Sequence, residues 1–251
     1  MAKFFVEEDQ LNLEDKEITI IGDDVNHIKN VLRLTKDDKI SISVKSSNPK
    51  NYIVSIKNID RDSIKCQILG KDDRISETNI KLSIFQGIPK SDKMETIIQK
   101  CTEIGAYDFI PLEVKRCVAK IEKKDSIKKI SRWQKIAEVA AKQSGRNIVP
   151  TVKDIINIEK LCEMIKDYEL VIVAYEQEKN MSIKDILEKN DKIHKVAIVI
   201  GPEGGFEEKE IEILKNAGAK VISLGNRILR TETAPIVISS IIFYHFNEFQ
   251  I

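Results

Sequence analysis

The segment Lys195-Val196-Ala197-Ile198-Val199-Ile200-Gly201-Pro202-Glu203-Gly204-Gly205-Phe206-Glu207-Glu208 decides how most of the chain is read. Val196 to Ile200 is apolar without alternation, the mark of a strand buried on both faces. A glycine-bearing turn follows, and Glu207-Glu208 opens a helix whose positive end suits acidic residues. Buried strands that turn into helices build a parallel α/β sheet. The same rhythm surrounds the segment: strands are predicted at 80–86, 107–112, 170–175 and 220–224, and helices at 92–104, 125–144, 182–189, 207–217 and 233–246. In the first of these helices Met94, Ile97, Ile98, Cys101 and Ile104 share a face. Asp92 and Glu95 read as its capping box and Gly105 as its stop.

Residues ahead of this region read differently. Short alternating or apolar runs at 18–21, 39–44, 52–56 and 63–69 are separated by turn formers at 22–24, 46–49 and 70–73. Such spacing predicts a small β-barrel. One helical insertion, 25–34, places Val25, Ile28, Val31 and Leu32 on a common face. The expected organisation is a β-barrel over 1–72 and an α/β domain over 73–251.

With 251 residues, 42% of them hydrophobic and 32% charged, the chain has a globular composition. Cys66, Cys101, Cys117 and Cys162 form no C-x-x-C pair, and His27, His194 and His245 no H-E-x-x-H, so reduced thiols and no metal are expected. No run approaches the ~18 apolar residues of a membrane span. The amino terminus turns acidic at Glu7-Glu8 before a signal-peptide core forms, so a cytoplasmic protein is expected. Walker A and G-x-S-x-G sequences are missing, which removes two common hydrolase and nucleotidase readings. A net charge of +1 argues against a protein that is basic all over. That balance conceals a polarity. Lys115 to Arg146 holds Lys115, Arg116, Lys120, Lys123, Lys124, Lys128, Lys129, Arg132, Lys135, Lys142 and Arg146 against Glu122, Asp125 and Glu138. The segment carries +8 and the rest of the chain −7. A helix face this one-sided favours a nucleic-acid partner over a merely solvated surface. Trp133 within it reads as core, with a base-stacking platform as the other reading.

Ligands of open α/β sheets sit at the carboxyl ends of the strands. The turn 201–206 is not G-x-G-x-x-G, and its glutamates suit a neutral or cationic ligand better than a phosphate. A tight turn, with glycines serving geometry alone, explains this loop equally well. The loop from Leu224 to Pro235 also leaves a buried strand and enters a helix. Thr231 or Thr233 can cap that helix, and Glu232 fits its positive end. Arg227 and Arg230, if held between buried elements, require carboxylates such as Glu203 or Glu232, or an anionic ligand. Two such loops together favour a pocket.

In combination these residues resemble the bacterial 16S ribosomal RNA uracil-N3 methyltransferases of the SPOUT (trefoil-knot) class. The resemblance runs through His27-x-x-x-Val31-Leu32-Arg33, Lys90-Ser91-Asp92-Lys93-Met94-Glu95 and Gln99-Lys100-Cys101-Thr102-Glu103-Ile104-Gly105. It continues through Arg132-Trp133, Ala140-Ala141-Lys142-Gln143-Ser144-Gly145-Arg146 and Pro150. Most specific are 200–206 and 224–234. The resemblance implies a PUA-like RNA-binding barrel, a knotted α/β domain holding S-adenosyl-L-methionine, and a homodimer. It also implies methylation of uridine N3 in 16S ribosomal RNA of the 30S subunit, near the decoding site. Carried over by position, Gly201, Glu203, Gly205, Leu224, Gly225, Ile228, Leu229, Thr233 and Ala234 line the cofactor pocket. Arg230 and Glu232 serve the chemistry, and His27, Arg33, Lys90, Lys93, Arg132 and Arg146 face RNA. Uridine N3 must lose a proton, so Arg230 is expected to stabilise the anion spread over O2 and O4, with Glu232, Glu203 or water as base. Lys3, the turn 35–38 and Val139 depart from the family pattern, away from both cofactor loops. The alternatives are a non-catalytic RNA-binding or ribosome-assembly factor, and a SPOUT methyltransferase for another RNA.

Overall fold

The computed structural model describes all residues except 47, 48, 75, 119, 120, 191, 250 and 251, and the side chain of Lys123. The turn residues Ser47 and Asn48, the basic Lys120 and the Lys123 side chain thus lie outside the described residues. Two compact units are present, residues 1–77 with 141–149, and residues 78–140 with 150–251.

The first unit contains a six-stranded sheet of β1 (Lys3–Val6), β2 (Leu11–Asn12), β3 (Glu17–Ile21), β4 (Lys39–Val44), β5 (Lys50–Ile59) and β6 (Ser63–Lys71). Their spatial order is β1-β4-β5-β6-β3-β2. Only β1 and β4 are parallel; the other pairs are antiparallel. The four strands expected from the sequence are β3 to β6, and β1 and β2 are additions. Phe4, Ile20, Ile42, Val54, Ile56 and Ile64 belong to the core that this sheet encloses. The helix expected at 25–34 is instead α1 (Asp23–Asn26) followed by a π-helical turn, His27–Val31. Val25 and Ile28 are buried, but Val31 and Leu32 point outward, so half of the expected apolar face packs.

Charge binds 141–149 into this unit. Lys142 Nζ donates to both Asp24 oxygens at 2.8 and 2.9 Å. Arg146, buried, donates from Nη2 to Glu77 Oε2 at 2.5 Å, and Lys3 Nζ donates to Asn147 Oδ1 at 2.5 Å. Burial lowers the Lys3 ammonium to about 8 against the attraction of nearby Asp72. Hydrogen bonds from Arg74 hold the Asp72 carboxyl well below the usual range, with a further bond from Ser41 at 2.7 Å.

The second unit is built on strands β7 (Lys81–Gly87), β8 (Asp108–Glu113), β9 (Thr151–Val152), β10 (Ile156–Asn157), β11 (Leu170–Ala174), β12 (Lys195–Ile200) and β13 (Lys220–Ile222). Every pairing is parallel, in the order β10-β8-β7-β12-β11-β13, with β9 beside β8. Its helices are α2 (Lys93–Ile104), α3 (Lys123–Ser144), α4 (Ile158–Met164), α5 (Ile183–Leu187), α6 (Glu208–Asn216) and α7 (Ala234–His245). The last residues of α3 belong to the first unit. All strands and helices expected after residue 79 are present; β9, β10 and α4 are additions. One sheet face packs in a cluster with Phe85, Ile110, Val173, Val199, Phe206 and Leu214. On α7, Ile238, Ile242 and Phe243 are buried, and this helix packs on α2 and β12. The capping box expected for α2 does not form. Asp92 makes no side-chain cap, and the Glu95 carboxylate instead lies 2.7 Å from Arg132 Nη2. No helix among the described residues is long and apolar enough to cross a membrane.

Asp108 opens β8, buried, with Oδ1 accepting no hydrogen bond among the described residues. Burial pushes its carboxyl above the usual range, against a hydrogen bond with Ser83 and the charges of Lys153 and Lys195. Between the ordinary carboxylate range and that raised value, the folded protein keeps a proton the unfolded chain has released. Stability therefore falls as pH rises through this window. Asp108→Asn is expected to raise the melting temperature by a few degrees at pH 7 and to leave it nearly unchanged near pH 3. Thermal denaturation at both pH values checks this.

Candidate active site

The carboxyl ends of β7, β12, β11 and β13 lie side by side, and both glycine-bearing loops emerge there. β13 is an edge strand, yet the loop that follows it does not stay at the edge. It crosses the end of β11, and Thr231 comes to rest against β12 and β7. The buried Thr231 hydroxyl donates to the Gly201 carbonyl at 2.7 Å and accepts from Gln86 Nε2 at 2.9 Å. Gln86, fully buried at the end of β7, also donates to its neighbour's carbonyl at 3.0 Å, while its Oε1 accepts nothing among the described residues. Gly87 is required here: a Cβ would stand 2.5 Å from Pro202 Cδ and 2.6 Å from Pro202 N. The chain therefore passes from β7 with glutamine and glycine because the 201–202 backbone presses against it.

Thr231 thus serves as a staple between strands, and Thr233, at the N-cap position of α7, forms no side-chain cap either. The backbone amides of Thr233 and Ala234 donate to the Arg230 carbonyl, so the turn closes on itself. The glycine turn is held from another side by Arg116, whose Nη1 donates to the Gly204 carbonyl at 3.1 Å.

Charged side chains meet above this frame. Lys93, at the start of α2, places Nζ 2.9 Å from Glu203 Oε1 and 3.3 Å from Glu232 Oε2. The Lys90 amide donates to both Glu203 oxygens at 3.2 and 3.3 Å. Burial pushes the Glu203 carboxyl up, but the hydrogen bonds from Lys93 and Lys90 outweigh it and hold the group below its usual range. Glu232 Oε2 is buried, and among the described residues its polar neighbour is the Lys93 ammonium at 3.3 Å. Arg230 Nη1 stands 3.9 Å from Glu232 Oε1, with the Arg230 side chain 80% exposed. Arg227 is exposed as well, so neither arginine bears the burial cost that the sequence suggested. Ala234 is buried, Gly205, Leu224, Leu229 and Thr233 are half-buried, and Gly225 and Ile228 are exposed, Ile228 at 85%.

Comparison with known proteins decides the family. The model of an RNA methyltransferase domain matches residues 76–243, and that of an RNA methyltransferase PUA domain residues 20–69. Ribosomal RNA small subunit methyltransferase E of Bacillus subtilis is 37% identical over 249 residues, covering 97% of this chain and 96% of that protein. The chain belongs to the ribosomal RNA small subunit methyltransferase E family. The protein of the same name from Mesomycoplasma hyopneumoniae is 33% identical, over 94% of this chain and 96% of that one. A crystal structure of the Neisseria gonorrhoeae ribosomal RNA small subunit methyltransferase E bound to S-adenosyl methionine superposes with a TM-score of 0.86 at 28% identity, covering both chains in full. With that likeness, the second unit has the SPOUT fold and the first a PUA-like one.

The family's expected RNA residues are distributed unevenly. His27 and Arg33 are exposed in the first unit, Arg33 with φ 54°. Arg146 does not face outward: it is buried against Glu77, as the first unit's packing requires. In the second unit Lys90 and Arg132 are exposed, and Lys93 is committed to two carboxylates. A groove of about 720 Å³ lies between α2 and α3, lined by Glu95, Gln99, Lys128, Arg132 and Lys135 among others. Trp133 is buried, the core reading. Sequence reasoning missed Gln86, Gly87 and Thr231 as a unit; a lone glutamine before a glycine at the end of an apolar strand was the available signal.

Thr231→Val removes the donor to Gly201 and leaves both partners buried. A loss of about 1–3 kcal/mol in unfolding free energy is expected. Thr231→Ser, which keeps the hydroxyl, should recover most of it in the same urea titration.

Proposed function

We propose that this chain methylates N3 of a uridine in 16S ribosomal RNA of the small subunit, near the decoding site, with S-adenosyl-L-methionine as donor. The cluster of Glu203, Glu232, Lys93 and Arg230 at the strand ends carries the reading, because it joins buried acceptors to an exposed cation. Gln86 Oε1 is a buried acceptor with no hydrogen bond among the described residues, which suits a ligand that carries N–H or O–H donors. Gly225, at φ +97° with nothing within 4 Å of its Cβ position, offers bare backbone for close approach. The two carboxylates favour a ligand carrying positive charge. These features fit S-adenosyl methionine. Gly201, Glu203, Gly205, Leu224, Gly225, Ile228, Leu229, Thr233 and Ala234 would hold it, and when bound it supplies an electrophilic methyl group on a sulfonium.

The chain's own residues then have separable tasks. The Glu232 carboxylate, held beside Lys93, takes the N3 proton. Arg230, exposed and 3.9 Å from its nearest carboxylate, stabilises the charge left on the uracil oxygens. The pairing edge of the base is the target, so the uridine must be unpaired or flipped out. RNA is gathered by the basic face of α3, where Lys124, Lys128, Arg132 and Lys135 recur at helical spacing and are exposed, and by His27, Arg33 and Lys90. The protein works in the cytoplasm as a homodimer. On α7, Val237, Ile241 and Tyr244 share a face, Tyr244 being 78% exposed, and a second copy would cover it.

Titration calorimetry is expected to give saturable binding of S-adenosyl methionine. Incubation with 30S particles should then add one methyl group that mass mapping places on N3 of a 16S uridine. No cofactor binding would leave a non-catalytic RNA-binding factor, and methylation of free transfer RNA alone would reassign the substrate. Arg230→Ala should lower turnover by about 10²–10³-fold with cofactor affinity unchanged. Wild-type protein should sediment as a dimer, and Tyr244→Glu as a monomer.

A further inference from the structure

We propose that Lys93 is a positioning residue that clamps the carboxylates of Glu203 and Glu232 together and so fixes the arrangement in which Glu232 and Arg230 meet the substrate. This rests on the methyltransferase reading of the same site. Three chain segments far apart in sequence converge on one ammonium group: the first residue of α2, the turn after β12 and the loop after β13. Local rules oppose a lysine at that place. The first turn of a helix is the positive end of its dipole and favours acidic residues. Lys93 therefore adds a cation where the backbone already presents partial positive charge, and two carboxylates from outside the helix offset it. A side chain that breaks a local rule while serving a distant contact marks a functional constraint.

The two carboxylates depend on Lys93 to different degrees. Glu203 is also held by the Lys90 amide. Among the described residues Glu232 has no such backbone donor: its buried Oε2 has the Lys93 ammonium at 3.3 Å, and Arg230 is more distant than Lys93. Its orientation follows from attraction to Lys93. Without the ammonium, two carboxylates that now share one cation face each other directly. Like charges at such range separate, or one takes up a proton. Either outcome spoils Glu232 as a proton acceptor, and protonation also weakens Glu203 as a partner for a positive ligand. The hydrogen bond to Glu203 raises the Lys93 ammonium above its usual range, so it stays charged throughout the neutral region.

The test uses the full chain with Lys93→Met and Lys93→Arg, each checked for a wild-type melting temperature. In cofactor-free protein, carbon-detected NMR follows the Glu203 carboxyl through a pH titration. Lys93→Met should move that titration up by about one pH unit, and Lys93→Arg should leave it close to wild type. In methylation assays Lys93→Met should lower kcat on the order of 10- to 100-fold and move the acid limb of its pH profile upward, with KM for RNA little changed. Lys93→Arg should restore most of both. An unmoved Glu203 titration would overturn the clamp, whatever the activity. So would a rise in KM for RNA with kcat and its pH profile intact, which would make Lys93 a phosphate contact. If wild-type protein neither binds S-adenosyl methionine nor methylates RNA, the methyltransferase reading fails, while the titration still decides the clamp.

Discussion

The Thr231 hydroxyl, buried between the Gly201 carbonyl and Gln86 Nε2, is the contact on which the site depends. The chain leaves the sheet at an edge strand and has to travel back across the strand ends before α7 can begin. Backbone hydrogen bonds of the sheet cannot enforce that return, since the loop is not a strand. A side-chain bond to a main-chain carbonyl of the neighbouring loop can. It also fixes the distance between the two glycine-bearing loops, which come from different strands and share no ladder. Gly87 makes the arrangement sterically possible, because any side chain there would enter the space of Pro202. The residues that flank Thr231, Arg230 and Glu232, are consequently held at the rim by a buried anchor between them.

The charges at that rim follow from the same geometry. Glu232 is drawn inward beside the staple and Arg230 is turned out, so adjacent residues of one loop meet different surroundings. A partly buried carboxylate needs a cation, and the loop's own arginine is too far away to serve. The cation comes instead from α2, the helix that follows β7 in the chain, while Glu232 lies on the loop after β13. Arg230 is thereby left uncommitted. Had it formed a close pair with Glu203 or Glu232, both groups would have been neutralised and the loop would present little chemistry.

What could be read from sequence divides along physical lines. Buried strands such as 195–200 announce themselves because both faces are apolar, and helix ends such as Gly105 because the breaking residue is local. The short strands β9 and β10, each of two residues, give no periodicity to detect. The Thr231 hydroxyl does not cap α7 because a partner 30 residues away takes it, whereas Asp92 and Thr233 sit at N-cap positions without a side-chain cap. The residues of the two loops were legible as a set through family resemblance. Their contacts were not, because neither the Lys93 bridge nor the Gln86–Thr231 bond has a counterpart in local spacing.

The basic segment shows the same limit in its electrostatic form. Counted along the chain, 115–146 carries a large positive excess, and each residue weighs equally. In the folded protein Arg146 and Lys142 are spent inside the first unit on Glu77 and Asp24, and Arg132 sits against Glu95. The first two are largely buried pairs and contribute nothing to an outward field. Arg132 keeps 65% of its side chain exposed, and a pair so open to water is weak enough to exchange for a phosphate. Lys128, Lys135 and Arg132 then form the stripe that a polyanion would meet, along a groove bounded on its other side by α2. The footprint is narrower than the charge count and lies on one face of α3. It flanks the helix whose first residue, Lys93, bridges the two carboxylates, so the surface that would gather RNA and the cluster that would act on it share α2 as a common wall.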